Sequence, residues 1–169
     1  MIVIIFGVSG AGKTTIGKLL AEELGWRFCE ADDFHPRANI DKMRRGIPLT
    51  DGDREPWLNS LRELIERCIA EGQNAALACS ALKRVYRNHL RVSLEVKLVF
   101  LRGDYALVAE QLGHRRGHFM NPGLLRSQFA DLEEPHPEEE VLTIQLGRPP
   151  HELVEEIKTK LRLAHRSNG

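Results

Sequence analysis

Gly7-Val8-Ser9-Gly10-Ala11-Gly12-Lys13-Thr14 follows directly on the apolar run Ile2–Phe6 and precedes a segment where Ile16, Leu19, Leu20 and Leu24 recur at three- and four-residue steps. The octapeptide matches G-x-x-x-x-G-K-[ST]. A strand before it and a helix after it are the context in which that string carries meaning. Glycines at 7, 10 and 12 let the backbone turn its N–H groups inward, and the helix starting near Lys13 adds the positive end of its dipole, so phosphate is favoured there. Gly7, Ser9, Gly10, Ala11, Gly12, Lys13, Thr14 and Thr15 are therefore expected to hold ATP. Lys13 neutralises the β and γ phosphates, and the Thr14 hydroxyl is the expected Mg2+ ligand, because that ion keeps most of its waters and takes few protein oxygens. The competing reading is a chance glycine turn with a solvated lysine. The loop alone does not separate a kinase from a GTPase or a mechanical ATPase.

Outward from the loop, short apolar runs alternate with helical periodicity, the pattern of a parallel sheet with crossover helices. The runs are Ile2–Phe6, Trp26–Glu30, Ala75–Cys79, Val96–Leu101 and Val141–Gln145. The first helix ends at Gly25. A second is expected to start near Pro56, with Leu58, Leu61, Leu64, Ile65 and Cys68 turned inward, and to end at Gly72. Lys83 to Arg91, Asp104 to Leu112 and His151 to Leu163 read as three more. Five strands with their helices make an α/β domain. The 169 residues suit one such domain, 1–169, and Gly113 to Pro122 has little to bury, so a lid over about 113–126 is expected.

Composition narrows the function. Lys and Arg total 24, matching 24 Asp and Glu, and aromatics are only 6%, so neither a nucleic-acid groove nor attraction to an anionic membrane is expected. Cys29, Cys68 and Cys79 lack paired metal or redox spacing, and the apolar start is far shorter than a membrane span and runs into a glycine loop. A cytoplasmic protein with reduced thiols is the expectation. Neither an N-K-x-D nor a D-x-x-G string of the GTPases occurs.

Beyond the second strand the chain reads Glu30-Ala31-Asp32-Asp33-Phe34-His35-Pro36-Arg37-Ala38-Asn39-Ile40, then Lys42-Met43, Gly46-Ile47-Pro48-Leu49-Thr50-Asp51 and Asp53-Arg54-Glu55-Pro56-Trp57-Leu58. Cys79-Ser80-Ala81-Leu82-Lys83, Tyr86-Arg87, Arg116-Gly117-His118-Phe119-Met120, Ser127-Gln128-Phe129, Leu132-Glu133 and Pro135 follow in the same order. This succession closely resembles the gluconokinase family over nearly the whole chain. The resemblance implies a three-layer P-loop kinase fold, a five-stranded parallel sheet of order 2-3-1-4-5 with a mobile lid. It also implies phosphate transfer from ATP to the 6-hydroxyl of gluconate, and a homodimer. A related kinase acting on shikimate or another aldonate is the alternative. Where the family commonly has two aspartates flanking a glycine, this chain has Glu30 and Asp32 around Ala31, so either carboxylate could reach the metal through water.

Phosphoryl transfer needs positioning and charge neutralisation: one carboxylate at the attacking hydroxyl, and cations around phosphate and acceptor. Asp32, past the end of a strand, is expected to orient the hydroxyl and take its proton, the alternative being a turn or cap aspartate. Arg54 offers a two-pronged bond to an acceptor carboxylate, against a surface role beside a neighbouring Asp. His35 lies in the same segment, as substrate ligand or as an ordinary loop histidine. Lys83, Arg87 and Arg91 share a helix face; the resemblance puts Lys83 and Arg87 at the acceptor and leaves Arg91 on the surface. Ser80 is either a site hydroxyl or a helix cap. In the lid, Arg115 matches the family's arginine and would supply transition-state charge, with His118 toward the acceptor.

Overall fold

A computed structural model describes residues 1–113 and 122–164. Five strands, β1 (Ile2–Phe6), β2 (Arg27–Glu30), β3 (Ala75–Cys79), β4 (Val96–Arg102) and β5 (Leu142–Gln145), form one sheet in the order β2-β3-β1-β4-β5. Every pairing is parallel, with Phe6 opposite Cys79 on one side and Phe100 on the other. A strand covered on both faces must be apolar at every position, which is why Ile-Val-Ile-Ile-Phe and Ala-Ala-Leu-Ala-Cys are wholly buried and why their ends lie where the sequence places them.

Helices cover both faces. Ile2, Ile4, Phe6, Leu77, Leu98 and Phe100 pack under α3 (Asp51–Ala70) and α4 (Arg84–Leu90) through Trp57, Leu61, Ile65, Tyr86 and Leu90. On the opposite face Val3, Ile5, Val99 and Leu101 meet Ile16, Leu20 and Leu24 of α1 (Lys13–Leu24) and Leu153, Val154 and Ile157 of α7 (Pro150–Leu161). No helix among the described residues is long and apolar enough to cross a membrane, and the three cysteines are buried free thiols.

Several elements differ from the sequence expectation. α3 begins at Asp51, five residues before Pro56, because Thr50 and Asp53 form a reciprocal capping box: the Asp53 N–H donates to Thr50 Oγ1 at 3.1 Å and the Thr50 N–H to Asp53 Oδ2 at 2.9 Å. Pro56 therefore sits inside the helix, forgoing one backbone bond. α2 (Arg37–Arg44) and α6 (Pro122–Asp131) form where the sequence has no long apolar stripe, and 3-10 turns occupy Ala31–Phe34 and Pro137–Glu139. α5 spans Tyr105–Gly113. The remaining positions of the expected lid, with Arg115, Arg116 and His118, lie outside the described residues.

Candidate active site

The carboxyl ends of β1, β2 and β3 open onto one cleft, the place where open parallel sheets bind ligands. It is lined by Ser9 and Lys13 from the first loop, Asp32 and His35 beyond β2, Arg54 and Trp57 on α3, and Ser80 beyond β3. Leu124, Ser127 and Gln128 of α6 and an apolar wall of Met43, Pro48 and Leu49 close it.

The glycine loop has the backbone its sequence requires. Gly10 and Gly12 adopt φ of 81° and 93°, in the left-handed region, and a Cβ on Gly10 would stand 3.1 Å from Leu112 Cβ and 3.2 Å from the Val108 carbonyl. Lys13 Nζ folds back to donate to the carbonyls of Gly7 (3.0 Å) and Val8 (2.9 Å), so the ammonium stands over the cradle. The Ser9 N–H donates to Gln128 Oε1 at 2.6 Å, across 119 positions of sequence. Thr14 donates its hydroxyl proton to Glu30 Oε2. Burial pushes the Glu30 carboxyl above its ordinary value, against the Thr14 hydrogen bond. Thr14 and Glu30 thus bring two hard oxygens together at the start of α1, the donor set a Mg2+ ion favours.

Asp32 lies in the 3-10 turn that follows β2, and its side chain is 71% exposed. The side chain capping that turn is Glu30, which accepts from the Asp32 N–H, so the Asp32 carboxylate is left to face the cleft. The His35 side chain is 4% exposed and stacks flat on Trp57, ring centroids 4.3 Å apart. Its Nε2 stands 3.8 Å from Asp32 Oδ1. Asn39 Nδ2 donates to the Asp53 carbonyl at 2.8 Å and lies 3.2 Å from His35 Nδ1. The carbonyl can only accept, which fixes that end of Asn39 as the amino group. Its second N–H then makes Nδ1 the acceptor and leaves the ring proton on Nε2, facing Asp32. Burial lowers the His35 pKa, which favours this neutral form; the Asp32 charge opposes that and the Arg54 charge adds to it.

Arg54, on α3 and 11% exposed, donates to Tyr86 Oη at 3.0 Å and to Asp131 Oδ2 at 3.1 Å. Lys83, expected at the acceptor, is not among the residues lining the cleft. It donates to Asp51 Oδ1 at 2.8 Å, and Tyr86, which accepts from Arg54, donates to the same oxygen, so Lys83 is linked to Arg54 at one remove. Ser80 lines the cleft, and α4 is preceded by Lys83 with no side-chain cap, so the helix-cap alternative for Ser80 falls.

Arg87 is not at the acceptor pocket, contrary to the expectation. It is 1% exposed, and all five N–H groups are taken: by both Glu139 carboxylate oxygens, by the carbonyls of Ala81 and Leu82, and by that of Glu133. It grips from behind the turn that carries Ser80, where Ala81 holds φ at 33°. Arg91, expected on the surface, donates to the Glu139 carbonyl. Asn39, Met43, Leu49 and Gln128 went unassigned in the sequence; their only signal was membership in blocks of family-like sequence, since no local pattern marks a residue that meets its partner through the tertiary fold.

The family model described as shikimate kinase matches residues 9–161. A probable gluconokinase of Rattus norvegicus is 43% identical over 166 residues, covering 87% of this chain and 90% of that one. The chain belongs to the gluconokinase family. Within the family, a solved gluconokinase from Sinorhizobium meliloti superposes with a TM-score of 0.84 at 40% identity over 95% of this chain and 90% of that one. A sugar kinase from Janibacter sp. HTCC2649 gives 0.91 at 44% identity, over 96% and 95%. The longer arm of Glu30, set against the aspartate that the resemblance leads one to expect, reaches the Thr14 hydroxyl.

Proposed function

We propose that this chain transfers the γ-phosphate of ATP to the 6-hydroxyl of D-gluconate, giving 6-phosphogluconate and ADP. The observation that carries this reading is the convergence on one cleft of a phosphate cradle with Lys13, an exposed carboxylate at Asp32, and the Arg54 guanidinium. In this reading the 6-hydroxyl oxygen bonds to the γ-phosphorus while the bond to the β,γ-bridging oxygen breaks, and ADP leaves with that oxygen. Asp32 orients the hydroxyl and receives its proton. Lys13 and the N–H groups of the cradle hold the charge that moves onto the phosphate oxygens. Thr14 with Glu30, or Asp32 through water, fits Mg2+, whose contribution when bound is to neutralise the β and γ phosphates.

Arg54 takes the gluconate carboxylate, with His35 and Ser80 toward the hydroxyls. Lys83 joins through its Asp51 and Tyr86 link to Arg54, and Arg115 and His118 are assigned by family resemblance. A homodimer accompanies the reading, supported by that resemblance, and a cytoplasmic setting suits the three buried free thiols.

A second reading is a kinase of another small hydroxy acid, either shikimate, toward which the shikimate kinase family match points, or an aldonate other than gluconate. ADP release with gluconate, its epimers, shikimate and nucleoside monophosphates, with Lys13→Ala as the blank, separates the two. Fastest turnover with gluconate is expected, and a preference for shikimate or a nucleotide overturns the assignment.

A further inference from the structure

Gln128 and Asp131 are three residues apart on α6, a spacing that puts both on one side of the helix. Each holds a group that the proposed reaction needs for a substrate. Gln128 Oε1 accepts from the Ser9 N–H at 2.6 Å, inside the phosphate cradle. Asp131 Oδ2 accepts from Arg54 at 3.1 Å, on the guanidinium assigned to the acceptor's carboxylate. A backbone N–H carries one hydrogen, so a phosphate oxygen and the Gln128 carboxamide compete for it. A second carboxylate reaching Arg54 meets the charge of Asp131, whose oxygen already holds one of the guanidinium N–H groups.

We propose that α6 competes for both substrate positions, Gln128 standing in for a terminal-phosphate oxygen and Asp131 for the acceptor's carboxylate. The inference rests on the assignment of Arg54 to that carboxylate. Because one helix carries both stand-ins, displacement of either loosens the other. ATP and gluconate therefore bind with positive coupling, and by linkage each raises the other's affinity by the same factor. The device also sets a substrate class. An acceptor with a carboxylate competes with Asp131 for the guanidinium, whereas a neutral polyol of the same length leaves the Arg54–Asp131 pair closed.

The test is calorimetric titration of the intact protein with a non-hydrolysable ATP analogue, with and without saturating D-gluconate or D-glucitol, and the reverse titration. In the native protein gluconate is expected to tighten the analogue by about 5-fold or more, within the ordinary range of site-to-site coupling, and glucitol to leave it unchanged. Asp131→Asn keeps the shape of the side chain and removes its charge; it is expected to tighten gluconate severalfold and to erase most of the coupling. Gln128→Ala is expected to tighten the analogue in the absence of gluconate. Weaker gluconate binding in Asp131→Asn, or an unchanged coupling factor in both variants, overturns the stand-in role while gluconate turnover leaves the proposed function intact. If Arg54→Ala binds gluconate as the native protein does, the assignment of Arg54 fails and the inference with it.

Discussion

Arg87 and Glu139 meet inside the protein, guanidinium Nε 2.9 Å from the carboxylate, with side chains 1% and 2% exposed. Burial pushes the Glu139 carboxyl up, but the hydrogen bonds from Arg87 and the His136 N–H outweigh it and hold it below its ordinary value. The pair ties α4 to the 3-10 turn Pro137–Glu139 and fixes the turn carrying Ser80. Glu139→Ala strands a buried cation and is expected to cost about 3–5 kcal/mol in urea unfolding. The double replacement Arg87→Met, Glu139→Leu is expected to recover much of that loss. A double variant as unstable as the single one would mean that the carbonyl bonds, not the ion pair, dominate.

Asp32→Asn keeps the size of the side chain and removes the proton acceptor. Turnover with gluconate is expected to fall by about 100-fold or more, with affinity for Mg·ATP little changed. Single-turnover phosphorylation beside nucleotide titration checks this; near-native turnover would remove Asp32 from the chemistry.

Acid lowers stability in two stages. His35 has a folded pKa below its ordinary 6.5, through burial, so its contribution is present above 6.5 and declines as pH falls and the ring must charge on unfolding. Asp53 is held at about 2, first by the Lys42 hydrogen bond and then by the Thr50 N–H, so its contribution is present above 3.8 and is lost as pH falls toward 2. Thermal melts of the native protein and Lys42→Met are expected to draw together as pH falls from about 3.8 to about 2, where the carboxylate that Lys42 serves is being protonated. A constant gap between the two curves would contradict the assignment.

Thr50→Ala removes one half of the capping box and is expected to cost about 1 kcal/mol. Chemical denaturation reads the loss, and Thr50→Ser should restore most of it. Because Arg54 lies in the first turn of the same helix, a rise in the KM for gluconate is expected to accompany the loss in Thr50→Ala.

Signals that act within one strand or one turn were legible without coordinates. The apolar runs of β1, β3 and β4 marked the central strands because a parallel sheet covered on both faces excludes polar residues from its middle, while the edge strands β2 and β5 carry only short apolar cores. The phosphate loop was equally plain, since its glycines, lysine and threonine act on a ligand through their own backbone and near neighbours. At the start of α3 the first-turn signal of Pro56 is overridden by the capping box of Thr50 and Asp53.

Contacts between distant segments were another matter. Arg87 occupies the same face as Lys83, yet Glu139, 52 positions later, converts it from a surface cation into an internal brace. Arg54 meets Asp131 across 77 positions and Ser9 meets Gln128 across 119, and no periodicity records either meeting. Chain-local chemistry was sufficient for the strands and the cradle. The acceptor side of the cleft was decided by how α3, α4 and α6 pack, because a side chain's charge, exposure and freedom depend on which remote group the packed chain brings to it.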